Sequence, residues 1–167
     1  IGSPWPDHIF GLSLGAQYQG FDFSAILSTQ IGHDIYRTYE RSDITFTNYQ
    51  TFWLDRWTPD NPNAELPRLV SNDPNNNQRP SDFYVEDGSF LRLRNLQIGY
   101  TLPQKFAEKA KLRDVRIYVS ANNLFTMTNY RGFDPEIGTT GWILDTGIDK
   151  GFYPSNRVLG LGLKVSM

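Results

Sequence analysis

Every second residue at the end of the chain is apolar. Leu159, Leu161, Leu163, Val165 and Met167 alternate with Gly160, Gly162, Lys164 and Ser166. A strand sends successive side chains to opposite faces, so this run reads as a β-strand, greasy on one side and polar on the other. Four more segments alternate in the same way. Over about 8–18, Phe10, Leu12, Leu14, Ala16 and Tyr18 oppose Gly11, Ser13, Gly15 and Gln17. Over about 21–32, Phe21, Phe23, Ala25, Leu27 and Ile31 oppose Asp22, Ser24, Ser28 and Gln30. Over about 115–125, Val115, Ile117, Val119 and Ala121 oppose Arg116, Tyr118, Ser120 and Asn122.

The segment over about 90–102 is less regular. Leu96, Ile98, Tyr100 and Leu102 are in phase, but Leu91 and Leu93 are not, and Arg92 and Arg94 fall on the apolar parity. A bulge near Asn95 repairs the register. The alternative is a strand whose first half projects beyond a membrane, where charge is tolerated.

The connections are lopsided. Gln19-Gly20 makes a minimal hairpin between the first two segments. The link over 103–114 is short, with room for one or two helical turns over 104–111. The links over about 34–89 and 126–157 are long and carry no sustained alternation. If consecutive strands are antiparallel neighbours, both short links share one rim and both long ones the other. Bacterial outer-membrane barrels show that asymmetry, whereas compact soluble domains seldom need such long loops. Tyr18, Phe21 and Tyr100 fall at the short-link rim, as an interfacial aromatic girdle requires. The expected fold is therefore all-β, with antiparallel up-and-down strands forming part of a large transmembrane barrel with long extracellular loops. A soluble β-sandwich used as a carbohydrate-binding module is the alternative, because its strands alternate equally well. An assembly or adhesion protein acting through exposed strand edges is a third reading.

Composition fits the barrel. Aromatic residues make up 14% of the chain, yet the mean hydropathy is −0.47, as expected where only alternate strand residues are apolar. No stretch approaches the roughly 20 apolar residues of a spanning helix. Lys and Arg number 16 against 18 Asp and Glu, so the electrostatic footprint of a nucleic-acid binder is missing. There is no cysteine, hence no disulfide framework, thiolate metal site or cysteine nucleophile. Ile1-Gly2-Ser3-Pro4-Trp5-Pro6 has neither the basic start nor the apolar core of a signal peptide, as expected of a chain that begins inside a longer protein.

Ordered motifs carry a family resemblance. They are Pro6-Asp7-His8-Ile9-Phe10-Gly11, Tyr18-Gln19-Gly20-Phe21-Asp22-Phe23-Ser24 and Arg56-Trp57-Thr58-Pro59-Asp60-Asn61-Pro62 with Pro67-Arg68. Val85-Glu86-Asp87-Gly88-Ser89-Phe90-Leu91-Arg92-Leu93-Arg94-Asn95-Leu96 follows, running into Gly99-Tyr100-Thr101-Leu102-Pro103. Ser120-Ala121-Asn122-Asn123-Leu124-Phe125-Thr126, Gly132-Phe133-Asp134-Pro135-Glu136 and Gly151-Phe152-Tyr153-Pro154 complete the set. In order and spacing they resemble the C-terminal part of SusC/RagA-family TonB-dependent outer-membrane transporters of Bacteroidetes-type bacteria.

The resemblance implies uptake of oligosaccharides or peptides across the cell outer membrane. It also implies a SusD-like surface lipoprotein as lid, TonB acting through an N-terminal region, and a plug and remaining barrel wall outside these residues. Barrels of this kind have about 22 strands, so the five seen here are expected to be the closing ones. An open sheet cannot span a membrane, because unpaired backbone groups cost several kcal/mol each in hydrocarbon. Met167 departs from the aromatic residue, commonly Phe, that usually ends family members.

Within that frame, Leu159, Leu161, Leu163, Val165 and Met167 are expected to close the barrel. Tyr49, Trp53, Trp57, Tyr130 and Trp142 in the long loops are candidates for substrate or lid contact, because aromatics are enriched at binding surfaces; packing of loop against loop is the plainer role. Oxygen-rich groups (Asn72 to Asn77, Asp134, Glu136, Asp145, Asp149) lack the spacing of a calcium loop, and no metal or cofactor is expected. The glycines Gly160 and Gly162 have no helix after them and suit close approach of backbones or plug better than phosphate binding. Neither a nucleophile elbow nor any other catalytic signature is present, so no enzyme is expected.

Overall fold

The structure, a computed structural model, describes residues 2–39, 48–109, 111–137 and 142–166. In chain order its elements are β1 (His8–Tyr18), β2 (Phe21–Ile31), β3 (Asp34–Arg37), β4 (Val85–Asp87), β5 (Phe90–Thr101), α1 (Gln104–Lys109), β6 (Asp114–Thr128), β7 (Ile148–Asp149) and β8 (Val158–Ser166). The five alternating segments supply the five long strands. They form one antiparallel sheet in the order β1-β2-β5-β6-β8, an up-and-down meander. Among the described residues the sheet is open, with β1 and β8 at its edges.

Turn chemistry sets the first register. Gln19 and Gly20 have φ of 47° and 88°, the left-handed pair that a two-residue hairpin of matching twist requires. A side chain at Gly20 would also meet the Thr101 carbonyl, 2.8 Å from where its Cβ would stand. With that turn fixed, Tyr18 pairs with Phe21 and every later pair follows.

The apolar rows then run unbroken across all five strands. Leu14, Ala25, Leu96, Ala121 and Leu159 are successive partners, and so are Ala16, Phe23, Ile98, Val119 and Leu161. A third row is Tyr18, Phe21, Tyr100, Ile117 and Leu163. Its Phe21 and Tyr100 rings lie 4.5 Å apart, forming the aromatic rim. The opposite face holds Ser24, Gln97, Ser120 and Gly160 in one row and Asp22, Gly99, Tyr118 and Gly162 in another.

Rows stay continuous because β5 carries a bulge. Leu93 and Asn95 pair with neighbouring positions of β2, leaving Arg94 as the extra residue. On the β6 side Leu93 pairs with Phe125 and Asn95 with Asn122. The phase therefore switches at Arg94. Leu91 and Leu93 join the apolar face, and Arg92 moves to the polar one. The projecting-strand alternative is not needed.

The long links are less formless than their sequence suggests. β3 pairs antiparallel with β4 and parallel with β7, making a second, three-stranded sheet at the long-loop rim around the fully buried Ile35. Strands of two to four residues are too short to show a period, so alternation could not announce them. α1 supplies the helical turns in the short link.

No second layer covers the large sheet's apolar face among the described residues. Leu12, Ile98, Val119 and Leu163 are all exposed. This corrects the sandwich alternative, which requires that face to be sealed against another sheet. Leu96→Arg, on the central strand, is expected to cost the assembled barrel about 2–4 kcal/mol. Ser24→Arg on the other face is expected to cost little. Heat-modifiable mobility of the full-length barrel measures both, and equal losses would refute the assignment of faces.

Candidate functional site

The polar face carries a charged cluster where the bulge displaces β5. The Arg92 side chain is only 2% exposed. Its Nε donates to Thr126 Oγ1 at 2.9 Å, and Nη1 to Glu136 at 2.9 Å and Ser155 Oγ at 3.2 Å. Nη2 donates to Asp134. Arg94 donates to Ser28 Oγ at 2.7 Å and to Glu136 at 2.6 Å. Two cations thus meet two anions, and every carboxylate oxygen of the pair faces a donor. Buried charge is tolerated when it is paired and hydrogen-bonded in this way. Burial works against the Asp134 carboxylate, but the Ser155 amide, the Arg92 guanidinium and the Glu136 amide outweigh it and hold its pKa below the usual carboxylate value. A depressed carboxylate pKa contributes stability that persists above the ordinary value and fades only below it.

Nearer the short-link rim, Arg116 reaches back across Gly99 to Asp22, with bonds of 2.8 and 2.5 Å. The guanidinium also sits 4.8 Å from the Tyr118 ring centroid. The Tyr118 ring itself lies over Gly162, and Ser120 Oγ over Gly160. Within the described residues, what the glycines admit is a cross-strand side chain, not a neighbouring backbone. Between the two charged groups lie hydroxyls and amides, including the Asn95–Asn122 bond of 2.8 Å.

The long loops build a packed layer above this wall. Phe52 lies between two guanidiniums, 5.2 Å from Arg37 and 5.4 Å from Arg131. Glu86 faces both, at 3.0 and 3.1 Å. Tyr130 donates to Asp149 at 2.6 Å. Burial first, then that bond, raises the Tyr130 pKa far above the ordinary phenol value, so it stays protonated. The other Asp149 oxygen accepts the Gly151 and Phe152 amides.

The loop aromatics fall into two sets. Trp53 is 3% and Tyr130 5% exposed, so both are enclosed by this chain's own loops. Tyr49 is half-buried, its ring 6.0 Å from Trp53. Trp57 is half-buried and lines a cleft of about 460 Å³ with Glu65, Arg68, Arg79, Asp82 and Phe83. Trp142 is 71% exposed at the head of a turn whose next residues, Ile143 and Leu144, are 77% and 81% exposed. Leu159, Leu161, Leu163 and Val165 lie exposed along β8; Met167 is outside the described residues.

The oxygen-rich groups have other occupations. Asp134 and Glu136 serve the arginines, Asp145 pairs with Lys150 at 2.8 Å, and Asp73 accepts the Asn77 and Gln78 amides at 2.8 Å. No group of three metal-ligating side chains occurs among the described residues. In the sequence Arg92 and Arg94 stand out only as a fault in an alternation. Their wrong parity was itself the signal that acidic partners had to exist elsewhere in the chain.

Comparison with known proteins gives a consistent picture. No family model matches the chain. It is 34% identical over 171 residues to TonB-dependent receptor P3 of Formosa agariphila, covering 99% of this chain and 17% of the receptor. It is 27% identical over 164 residues to TonB-dependent receptor SusC of Bacteroides thetaiotaomicron, covering 97% of this chain and 15% of SusC. The RagAB peptide importer in its 'closed-closed' state superposes with a TM-score of 0.73 at 30% identity, over 99% of this chain and 18% of that one. Its 'open-open' state gives 0.72 over 97% and 17%. The chain therefore spans less than a fifth of the length of these relatives. Over its whole length it is homologous to the C-terminal part of the SusC/RagA-type TonB-dependent receptors, and it carries the antiparallel strands of their barrel.

Proposed function

We propose that this chain serves a TonB-dependent importer of the outer membrane, as the closing section of its barrel wall and as part of its outer mouth. The carrying observation is the five-strand sheet with one uninterrupted apolar face, one polar face and both long loops at one rim. The apolar face meets lipid. The polar face lines the lumen, as in barrels that conduct polar solutes. β8 has a free edge among the described residues, and pairing it with the first strand of the same barrel removes that edge. Met167, if it continues β8, adds to the closing row of Leu159, Leu161, Leu163 and Val165.

Cargo is a peptide or an oligosaccharide. The kinship with a peptide importer favours the first. The Trp57 cleft supports it chemically, since an aromatic wall with both signs of charge suits a zwitterionic chain. Tyr49 flanks this layer, and Trp53 and Tyr130 hold it together from within. The exposed Trp142 turn is the contact offered to a SusD-like surface lipoprotein. TonB acts through a plug-bearing N-terminal region.

Three measurements on the full-length protein test this. Removing residues 158–167 is expected to abolish surface-exposed barrel, detected by labelling of whole cells; normal assembly would refute the closure role. Trp57→Ala is expected to weaken peptide binding to the purified importer several-fold, by calorimetry. Trp142→Ala is expected to spare that binding and reduce co-purification of the lipoprotein. Intact lipoprotein recovery would remove Trp142 from the lid contact.

A further inference from the structure

The loop between β6 and β8 is fastened at both ends to a single side chain. Its first part returns to the wall at Asp134 and Glu136, both bound to Arg92. Its last part returns at Ser155, whose Oγ accepts from Arg92 Nη1 and whose amide donates to Asp134 at 2.9 Å. Arg94 adds a second hold on Glu136. Higher up, Tyr130 and Asp149 bridge the same two limbs, and β7 pairs with β3 of the other long loop. A loop that long would ordinarily be the most mobile part of such a wall. Here its two limbs converge, through three bonds, on a guanidinium that the sheet itself presents and that is shielded from water.

We propose that Arg92 is a positioning residue: it locks the described limbs of the loop, 129–137 and 142–157, to the wall at the bulge, making them a fixed rim of the outer mouth and not a moving flap. The word mouth rests on the importer reading. The fixity does not, and it is tested separately. The planar fork matters, because Thr126, Glu136, Ser155 and Asp134 surround it in directions that a lysine ammonium cannot serve together.

The test uses the full-length barrel without other cysteines, spin-labelled at Ile143→Cys on the turn and Met127→Cys on the wall, with no cargo or partner present. Dipolar spectroscopy should give a narrow distance distribution for native Arg92. Arg92→Gln and Arg92→Lys should each widen it at least about twofold, while the barrel keeps its heat-modifiable mobility. An unchanged width in either variant would overturn the proposal. If the Arg92 variants do not assemble, Asp134→Asn, which keeps the shape but weakens the hold, should widen the distribution, and failure to do so would equally overturn it. Uptake is the second readout. Arg92→Lys should raise the half-saturating cargo concentration several-fold with little change in maximal rate. A widened distance with unaltered uptake would leave the lock standing and remove this loop from the importer reading.

Discussion

Hydrocarbon accepts neither an unpaired backbone group nor an unpaired charge. A strand that must cross it has little freedom: each N–H needs a neighbour, and each second side chain must be apolar. β5 meets the first demand by lying between β2 and β6. It meets the second only because Arg94 is an extra residue. Under strict alternation Arg92 and Arg94 would point into lipid, at a cost of several kcal/mol together. The bulge puts Leu91 and Leu93 on the apolar face and both arginines on the polar one. Bulges concentrate where a side chain has to be re-aimed, and the charged cluster with Asp134 and Glu136 exists because of this one.

From that cluster the outer architecture follows. The described limbs of the second long loop return to Arg92, at Asp134 and Glu136 on one side and Ser155 on the other. The first long loop contributes β3 and β4, whose short ladder takes β7 from the second. Glu86 and Phe52 then hold Arg37 and Arg131, one from each loop. Among the described residues the two loops thus form a single layer, held largely by charge pairs and aromatic rings. Trp53 and Tyr130 belong to the inside of that layer. Trp57 and Trp142 belong to its outside, Trp57 half-buried along a cleft and Trp142 exposed.

The lumenal face follows a different logic from a soluble core. Its glycines are seats for neighbouring side chains: Tyr118 lies over Gly162, and the Arg116–Asp22 pair fills the space above Gly99. Small residues opposite large ones let this polar face pack smoothly. On the apolar face Ala25 and Ala121 alternate with leucines along one row.

The sequence by itself determined the strands of the wall, their faces and their connectivity. These depend on a period of two and on a turn such as Gln19-Gly20, both of which are local. It also marked the fault at Arg92 and Arg94, since two arginines cannot occupy the apolar parity of a lipid-facing strand. It left open the partners that resolve that fault. Asp134 and Glu136 lie about forty residues away, and only the folding of the loop onto the wall brings them to the guanidinium. The same holds for β3, β4 and β7, which are too short to have a period and exist only through pairing with each other. Whether a loop tryptophan is buried, like Trp53, or bare, like Trp142, was likewise decided in three dimensions. Burial of an isolated aromatic depends on what packs against it, and nothing in its near neighbours along the chain records that.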